Sequence, residues 1–489
     1  LPENTSRRRP CWQANALAQA AATACACLSL AAPPVQAQSG GNTAQRVEVT
    51  GASAAQEASI ATSALRSPVP IEQTPQSVVV ITRNLMDEQG VRSLTQALGN
   101  AASVRGTDAR DVLNFGLRIR GFEAGVLVDG VALPGTSSTP ELLTGMSRIE
   151  VVKGPAGTLY GGSQAAGSGG FIGGLVAVTT AAPQARFSAS AAVRGGTLNQ
   201  SSMAIDLNQP LSNTLALRLS AEGSREGSET DRIRHRRLAV QPSLAWRPSS
   251  DAELVVRWRH TDSKGLDYSG LPRKGSVEPD GYTVPRSRIL TAEGVPDSTT
   301  ELDAFNLQWS QRLSNAWTWQ LTLARVQAEV DQRGTFALDS TTFGWPAVSA
   351  LDGPFYTLAG ARLWNRQTST VVSPSITGRL QAAGAQHTLT AGVDFDRTQD
   401  DGFLVFSPNF GLLGFLDITQ PVYPAWAEPL APATPDQKNR YRSTAAYVQD
   451  LADFGPVQVM ASLRQSRVKV TDVNPASFVN NESSHTRTL

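Results

Sequence analysis

From about residue 186 onwards, the chain is marked by segments in which apolar and polar residues alternate. Within 215–222, 388–395 and 457–464, nearly every second residue is apolar. A period of two is that of a β-strand with one apolar and one polar face. A half-buried sheet in a soluble protein would show the same period, so the connections between strands decide the class.

These connections alternate in length. Tight turns are predicted at 209–213 and 247–251. Polar stretches on the opposite side of the strands are longer and lie near 222–232, 261–300, 331–364 and 397–440. Short turns at one end and long loops at the other are typical of outer-membrane barrels, in which closure leaves no backbone group unpaired in lipid. The pattern predicts an all-β transmembrane antiparallel barrel over residues 183–489.

Residues 66–182 mix short strands with one helix. The β-branched run 77–82 and the apolar run 126–128, which leads into an Asp-Gly turn, are predicted strands. Ser93 is a capping residue for the helical spacing that follows it. These segments predict a small α+β domain ahead of the barrel.

The first 65 residues predict an exported chain. Three consecutive arginines precede an apolar stretch of small residues at 14–32, and a small-x-small cleavage site follows, so residues 1–37 are interpreted as a signal peptide. A short buried Ala-rich helix is the alternative. Residues 38–65 are small and polar and predict a flexible linker. All three cysteines lie within 1–37, so the predicted mature chain has none for disulfides.

Composition and charge exclude several classes. Lys+Arg number 43 and Asp+Glu 42, so no general attraction to nucleic acid is expected. The basic run 232–237 is interpreted as a strand leaving an exposed loop with basic residues towards the lumen. No apolar run of eighteen residues occurs, which argues against helical membrane spans. The four histidines lack metal-ligand spacing and no catalytic constellation is visible, so we predict neither an enzyme nor a metal site.

Five segments between Thr74 and Gly161 carry a resemblance to a known family. In order, they are TPQSVVVITRNLMDEQG, SLTQALGNAASVRG, LRIRGF, VLVDGVALPG and MSRIEVVKGPAGTLYG. They resemble the plug domain of TonB-dependent outer-membrane receptors, most closely the ferric-siderophore branch. The resemblance implies that residues 66–182 form an N-terminal α+β plug domain inside a barrel in the bacterial outer membrane. It also implies TonB-dependent uptake of ferric siderophores.

Other cargoes (cobalamin, haem or a glycan) remain alternatives, as does a secreted β-rich adhesin, although an adhesin would call for internal repeats. The expected partners are TonB with its inner-membrane energising complex, a ferric siderophore and outer-membrane lipid. Because the siderophore brings its iron already coordinated, no cofactor is expected.

The resemblance also implies functional residues. The segment that corresponds to the TonB box, which can pair with a partner's sheet through backbone hydrogen bonds, consists of Arg46, Val47, Glu48, Val49, Thr50 and Gly51. The charges predicted to join plug and barrel are Arg118, Arg120, Glu150 and Lys153. The candidates for substrate binding, on the plug apex and the long loops, are Arg110, Asn114, Phe115, Tyr268 and Trp345.

Members of this family complete a barrel of 22 strands. The residues that follow the predicted plug supply only about 12–14 lipid-spanning strands. The sequence is therefore expected to hold a barrel that is incomplete at its C-terminus.

Overall fold

The computed structural model describes residues 60–64, 66–91, 93–106, 117–133, 143–154, 160, 172–268, 270–338, 353–474 and 479–488. Several predictions lie outside the described residues: the signal peptide, the TonB box at 46–51, and the candidates Arg110, Asn114, Phe115 and Trp345.

The N-terminal domain is built around a seven-stranded sheet. A separate two-stranded ribbon precedes it, formed by β1 (Ile60–Ala61) and β2 (Val69–Pro70), and a 3-10 helix follows at Ile71–Gln73. The seven strands are β3 (Ser77–Thr82), β4 (Val104–Gly106), β5 (Leu117–Ile119), β6 (Phe122–Val128), β7 (Val131–Ala132), β8 (Met146–Lys153) and β9 (Gly174–Thr180). They lie in the order β3-β8-β9-β6-β5-β4, with β7 beside β6. Among the strands described in this domain, β6 and β9 form the one parallel pair.

The described part of this domain also holds the short helices α1 (Arg83–Glu88) and α2 (Leu94–Leu98). Each begins at a hydroxyl cap. The Thr82 hydroxyl accepts a hydrogen bond from the Leu85 amide at 3.3 Å, and the Ser93 hydroxyl accepts one from the Gln96 amide at 3.2 Å. Such caps satisfy amides that have no partner in the first helical turn. The helix predicted after Ser93 is confirmed.

Within the described ranges, thirteen strands form one large antiparallel sheet, which we call the wall. They are β10 (Ser188–Gly195), β11 (Ser201–Pro210), β12 (Leu215–Gly227), β13 (Arg234–Ser249), β14 (Ala252–Gly265), β15 (Ser298–Arg312), β16 (Trp317–Leu338), β17 (Phe355–Ala382), β18 (Ala385–Phe406), β19 (Leu412–Asp417), β20 (Gln437–Asp453), β21 (Gln458–Asn474) and β22 (Val479–Thr488). Each strand pairs with its neighbours in chain order, except that β19 pairs with β17. Without the short strand β19, twelve of the described strands follow one another in the meander.

The connections alternate as expected. Tight turns join β11 to β12 and β13 to β14 at the two predicted places, and similar turns join β15 to β16, β17 to β18 and β20 to β21. The loops at the other end were predicted too long. Much of 331–364 and 397–440 is strand, because β16, β17 and β18 continue far beyond their alternating segments. Where both faces of a strand are polar, its backbone hydrogen bonds to the neighbouring strands continue, but the sequence no longer alternates between apolar and polar residues.

The N-terminal domain and the wall share one apolar core. Ile119, Ile149 and Val176 of the N-terminal sheet are fully buried, and the cluster they belong to continues into the wall. The wall contributes Leu302, Ala324, Val326 and Ala328. The domain therefore packs against the face of β15 and β16 that carries these residues. None of the helices in the described part of the chain is long and apolar enough to cross a membrane.

Candidate functional site

Arg66 joins the N-terminal domain to the wall. Its guanidinium Nη1 lies 3.1 Å from Asp394 Oδ1 on β18 and donates to the Tyr447 hydroxyl on β20 at 2.8 Å. The guanidinium also lies over two rings, 4.6 Å from the centroid of Tyr160 and 4.7 Å from that of Tyr447. Arg464 on β21 binds the other Asp394 oxygen at 2.7 Å. We call these five residues the Arg66 cluster.

The environment keeps Arg66 charged. Burial alone would lower the pKa of its guanidinium, but the Asp394 carboxylate and the two tyrosine hydroxyls more than offset this, so the pKa is raised. For the Tyr160 hydroxyl, burial has the opposite effect and raises the pKa, because it disfavours the charged phenolate. The hydroxyl therefore stays protonated and donates to the Ser63 carbonyl at 2.7 Å. The backbone of Arg66 is left-handed, with φ of 52°, a conformation that costs about 1–2 kcal/mol for a residue with a Cβ.

Glu150 holds the segment that leads to Arg66. Its side chain is fully buried on β8 and accepts hydrogen bonds from the Thr62 amide at 3.0 Å and the Ser63 amide at 2.7 Å. Arg148 on the same strand pairs with it at 2.9 Å. A buried carboxylate is stable only when paired and hydrogen-bonded in this way. Residues 62–66 are therefore fixed to the N-terminal sheet at Glu150 and to the wall at Asp394.

A second contact with the wall forms at the turn between β6 and β7. Asp129 has φ of 49° and Gly130 of 81°, as in the two-residue hairpin turns that favour Asp-Gly. The Asp129 carboxylate accepts from the Thr180 amide and lies 3.7 Å from Arg257 Nε on β14. The Asp129 carbonyl accepts from Gln308 Nε2 at 2.9 Å. One turn thus presents both its side chain and its backbone to the wall.

A third contact lies just before β8. The Thr144 hydroxyl donates to Glu222 on β12. Gly145, with φ of 78°, follows, and a Cβ placed on it would lie 2.5 Å from Ser220 Oγ. Glycine is required here because the backbone takes a left-handed conformation and lies against the wall.

Between the first two contacts lies a polar cavity of about 510 Å³. Arg66, Asp129 and Tyr160 line it from the N-terminal domain, and Arg257, Asp394 and Arg464 from the wall. Because a space of this size and polarity admits water, the contacts around it are exposed to water on the side that faces the cavity.

A second cavity, of about 790 Å³, opens at the long-loop end. Thr95 and Gln96 on α2 and Gly106 at the end of β4 line one side, and His235 and Tyr268 line the other. The volume is in the range of small-molecule pockets. Tyr268 packs beside the buried residues Ile233, Leu266 and Ile289, so its ring is held in place.

The four residues predicted to join plug and barrel lie in different surroundings in the structure. Glu150 is buried within the N-terminal domain, where it binds residues 62 and 63. Arg118 and Arg120 are exposed, and Lys153 is half-buried at the end of β8. Their assignment as plug–barrel contacts stays a prediction. Among the described residues, polar contacts between the domains are made by Arg66, Asp129 and Thr144, which sequence reasoning missed.

A small mixed domain seated on one face of a large meander of long antiparallel strands is the construction of an outer-membrane barrel with a plug. The family model described as TonB-dependent Receptor Plug Domain matches residues 70–168, and the model described as TonB dependent receptor-like, beta-barrel matches residues 245–488. The chain belongs to the TonB-dependent receptors, which are outer-membrane proteins.

Named relatives lie in the same family. The chain is 27% identical over 433 residues to the Ferrioxamine B receptor of Salmonella typhimurium, covering 85% of this chain and 58% of the relative. It is 25% identical over 471 residues to the Ferrioxamine receptor of Yersinia enterocolitica, covering 88% of this chain and 61% of the relative. The chain thus spans about three fifths of the length of these relatives.

A solved structure with a similar fold is the ferric-catecholate import receptor Fiu of E. coli K12 in its open form. It has a TM-score of 0.73 at 17% identity, over 86% of this chain and 67% of that chain. At this identity the similarity concerns the fold. From here on we call the N-terminal domain the plug.

Proposed function

We propose that the protein takes up a ferric siderophore across the outer membrane, driven by TonB. The observation that carries this is the way residues 62–66 are held. The Glu150 carboxylate accepts hydrogen bonds from the amides of residues 62 and 63 and Asp394 accepts from Arg66, beside a cavity that admits water. A force applied through the preceding segment, which includes residues 46–51, reaches these bonds first. A hydrogen bond to a charged group contributes about 1.5–3 kcal/mol, so a sustained pull breaks these bonds one at a time, and they re-form when it ends.

The cavity at the long-loop end is the proposed cargo site. The plug lines it with small and polar residues and the barrel side supplies the rings of His235 and Tyr268, so a cargo bound there would touch both domains. The relatives from Salmonella typhimurium and Yersinia enterocolitica are named ferrioxamine receptors, and relatives from Escherichia coli are named catecholate siderophore receptors. These names support an iron chelate as cargo. Tyr268 is the described residue proposed to contact it.

Growth on single iron sources tests the proposal. The full-length gene is expressed in a strain without siderophore synthesis and without its own siderophore receptors. We expect growth on at least one ferric siderophore and loss of that growth when residues 46–51 are deleted. Deleting six residues elsewhere in the linker, 53–58, is the matched control. Undiminished growth without residues 46–51 would contradict the TonB step. Rescue of vitamin B12 use, with no growth on any chelate, would contradict the cargo.

A further inference from the structure

Three basic side chains stand side by side on the outer face of the wall, the face that points away from the plug. In the strand register, Arg225 on β12 is opposite Arg236 on β13, and Arg236 is opposite Lys264 on β14. All three are exposed. Their face follows from alternation: Glu222, three residues before Arg225, binds Thr144 of the plug and therefore points inwards. We call these three residues the basic row.

The charges of the basic row are mostly uncompensated. Among the described residues, Arg225 and Arg236 have no carboxylate within ion-pair distance, and Lys264 Nζ lies 3.8 Å from Asp262 Oδ2. Like charges directly opposite one another destabilise a sheet by some tenths of a kcal/mol per pair. An anion bound between them would remove that cost.

An apolar groove of about 420 Å³ lies directly beside the basic row. Val193, Met203 and Leu238, which are 80%, 58% and 44% exposed, line it together with Arg225 and Arg236. Gly223 is opposite both Met203 and Leu238 in the register and leaves the space between them open. A Cβ on Gly223 would have no atom closer than 4.0 Å.

The position of the basic row along β12 shows how far it lies from the lipid-facing band of the barrel. Leu215, the first residue of β12, lies ten residues before Arg225 on the same face, which is about 33 Å along the strand and about 25 Å across the membrane at a strand tilt of about 40°. The lipid-facing band of such barrels is about 25 Å tall. The row lies at the end of β12 and β13 away from the tight turns, and this end faces the cell exterior in outer-membrane barrels. The row therefore marks the outer edge of the apolar band.

We propose that the basic row and its groove bind a phosphate-bearing lipid of the outer leaflet. Its phosphate oxygens accept hydrogen bonds from Arg225 and Arg236, and one acyl chain lies in the groove over Gly223. Arginine presents a planar fork of donors that matches phosphate. The assignment depends on the barrel fold and not on the cargo.

The same arrangement recurs elsewhere on the outer face. Arg397 on β18 is opposite Arg442 on β20, which is opposite Lys469 on β21. Phe395, 45% exposed, precedes Arg397 on the same face. Two separate in-register groups of cations thus lie just beyond exposed apolar side chains, as a leaflet of anionic headgroups requires.

Native mass spectrometry of the full-length protein in detergent, titrated with bisphosphorylated lipid A, tests the proposal. We expect Arg225→Gln with Arg236→Gln to weaken binding about thirtyfold, since each cation near a lipid surface contributes about 1 kcal/mol and 1.4 kcal/mol is tenfold. Arg225→Lys with Arg236→Lys retains the charges and keeps binding within about threefold. Lipid A stripped of its phosphates binds the unaltered protein as weakly as the double Gln variant binds intact lipid A.

The matched control is Arg366→Gln with Arg440→Gln. Both arginines lie on the outer face, but Glu329 and Asp401 already neutralise them at 2.6 and 2.7 Å. We expect no change in lipid affinity. A further variant, Gly223→Leu, fills the groove, keeps every charge and weakens binding about tenfold, so the proposal stays testable if the double Gln variant fails to fold. Equal affinity of all variants, equal affinity for the dephosphorylated lipid, or a dimer of this chain that the Gln variants dissociate would overturn the proposal.

Discussion

Replacing Arg66 with alanine tests whether the Arg66 cluster holds the start of the plug. The change removes the ion pair with Asp394 at 3.1 Å and the contacts with two rings at 4.6 and 4.7 Å. A hydrogen bond to a charged group contributes about 1.5–3 kcal/mol and each cation–π contact about 0.5–1 kcal/mol. Because Asp394 keeps Arg464 and Ser373 as partners, no carboxylate is left unpaired. The expected loss is about 3 kcal/mol.

Hydrogen exchange at the amides of Thr62 and Ser63 measures this loss. Both amides donate to Glu150, and they exchange when residues 62–66 detach. A loss of about 3 kcal/mol makes their exchange about a hundredfold faster. Arg66→Lys keeps the positive charge but gives up the planar stacking, so exchange about tenfold faster is expected.

Arg105→Ala is the matched control, because Arg105 is an exposed arginine on β4 of the same domain. We expect it to leave the two amides unchanged. A rise of less than threefold in Arg66→Ala, or an equal rise in Arg105→Ala, would refute the assignment of Arg66 as the anchor of this segment.

Two further changes are expected to have measurable effects. Glu150→Gln removes the charge that binds Arg148 at 2.9 Å and weakens the bonds to residues 62 and 63. The free energy of unfolding of the plug should therefore fall by about 3 kcal/mol. Denaturant titration followed by limited proteolysis measures this, and stability equal to that of the unaltered protein would contradict the role. Gly145→Leu places a side chain where a Cβ would already lie 2.5 Å from Ser220 Oγ, so the plug should be displaced from β12 and large antibiotics should enter cells more readily. Gly90→Ala, also at a positive φ but with no atom within 4 Å of the new Cβ, should cost only about 1 kcal/mol and leave permeability unchanged; equal leakage through both variants would show that backbone strain and not the clash is responsible.

The alternating segments predicted the wall well because a strand with one face in lipid must repeat apolar residues every second position. β12, β18 and β21 were located in this way, and so were two of the tight turns. The pattern could not show that β16 continues to Leu338 and β17 begins at Phe355. Beyond the apolar band both faces of a strand are in water, so the sequence there has no apolar–polar alternation. The continued strand is visible only in the backbone hydrogen bonds of the structure.

The contacts of the plug were harder to predict. Arg66 offered one signal, since it is the only charged residue between Glu57 and Glu72. Its partner Asp394 is 328 residues away, and nothing local identifies it. Glu150 was recognised as important through its family motif, but its binding to residues 62 and 63 depends on where the preceding segment folds back.

The strand order of the plug makes its two ends mechanically different. β3 is an edge strand and the first strand of the seven-stranded sheet along the chain, held laterally by β8 alone. At the other end, Asn208 of the wall binds the backbone of residues 184 and 186, and Arg247 donates to the Pro183 carbonyl at 2.7 Å. Tension applied at the N-terminus would therefore load the hydrogen bonds between β3 and β8 first, while the C-terminal end of the plug stays tethered to the wall. Under the proposed function, such a plug would open partway and close again without having to refold.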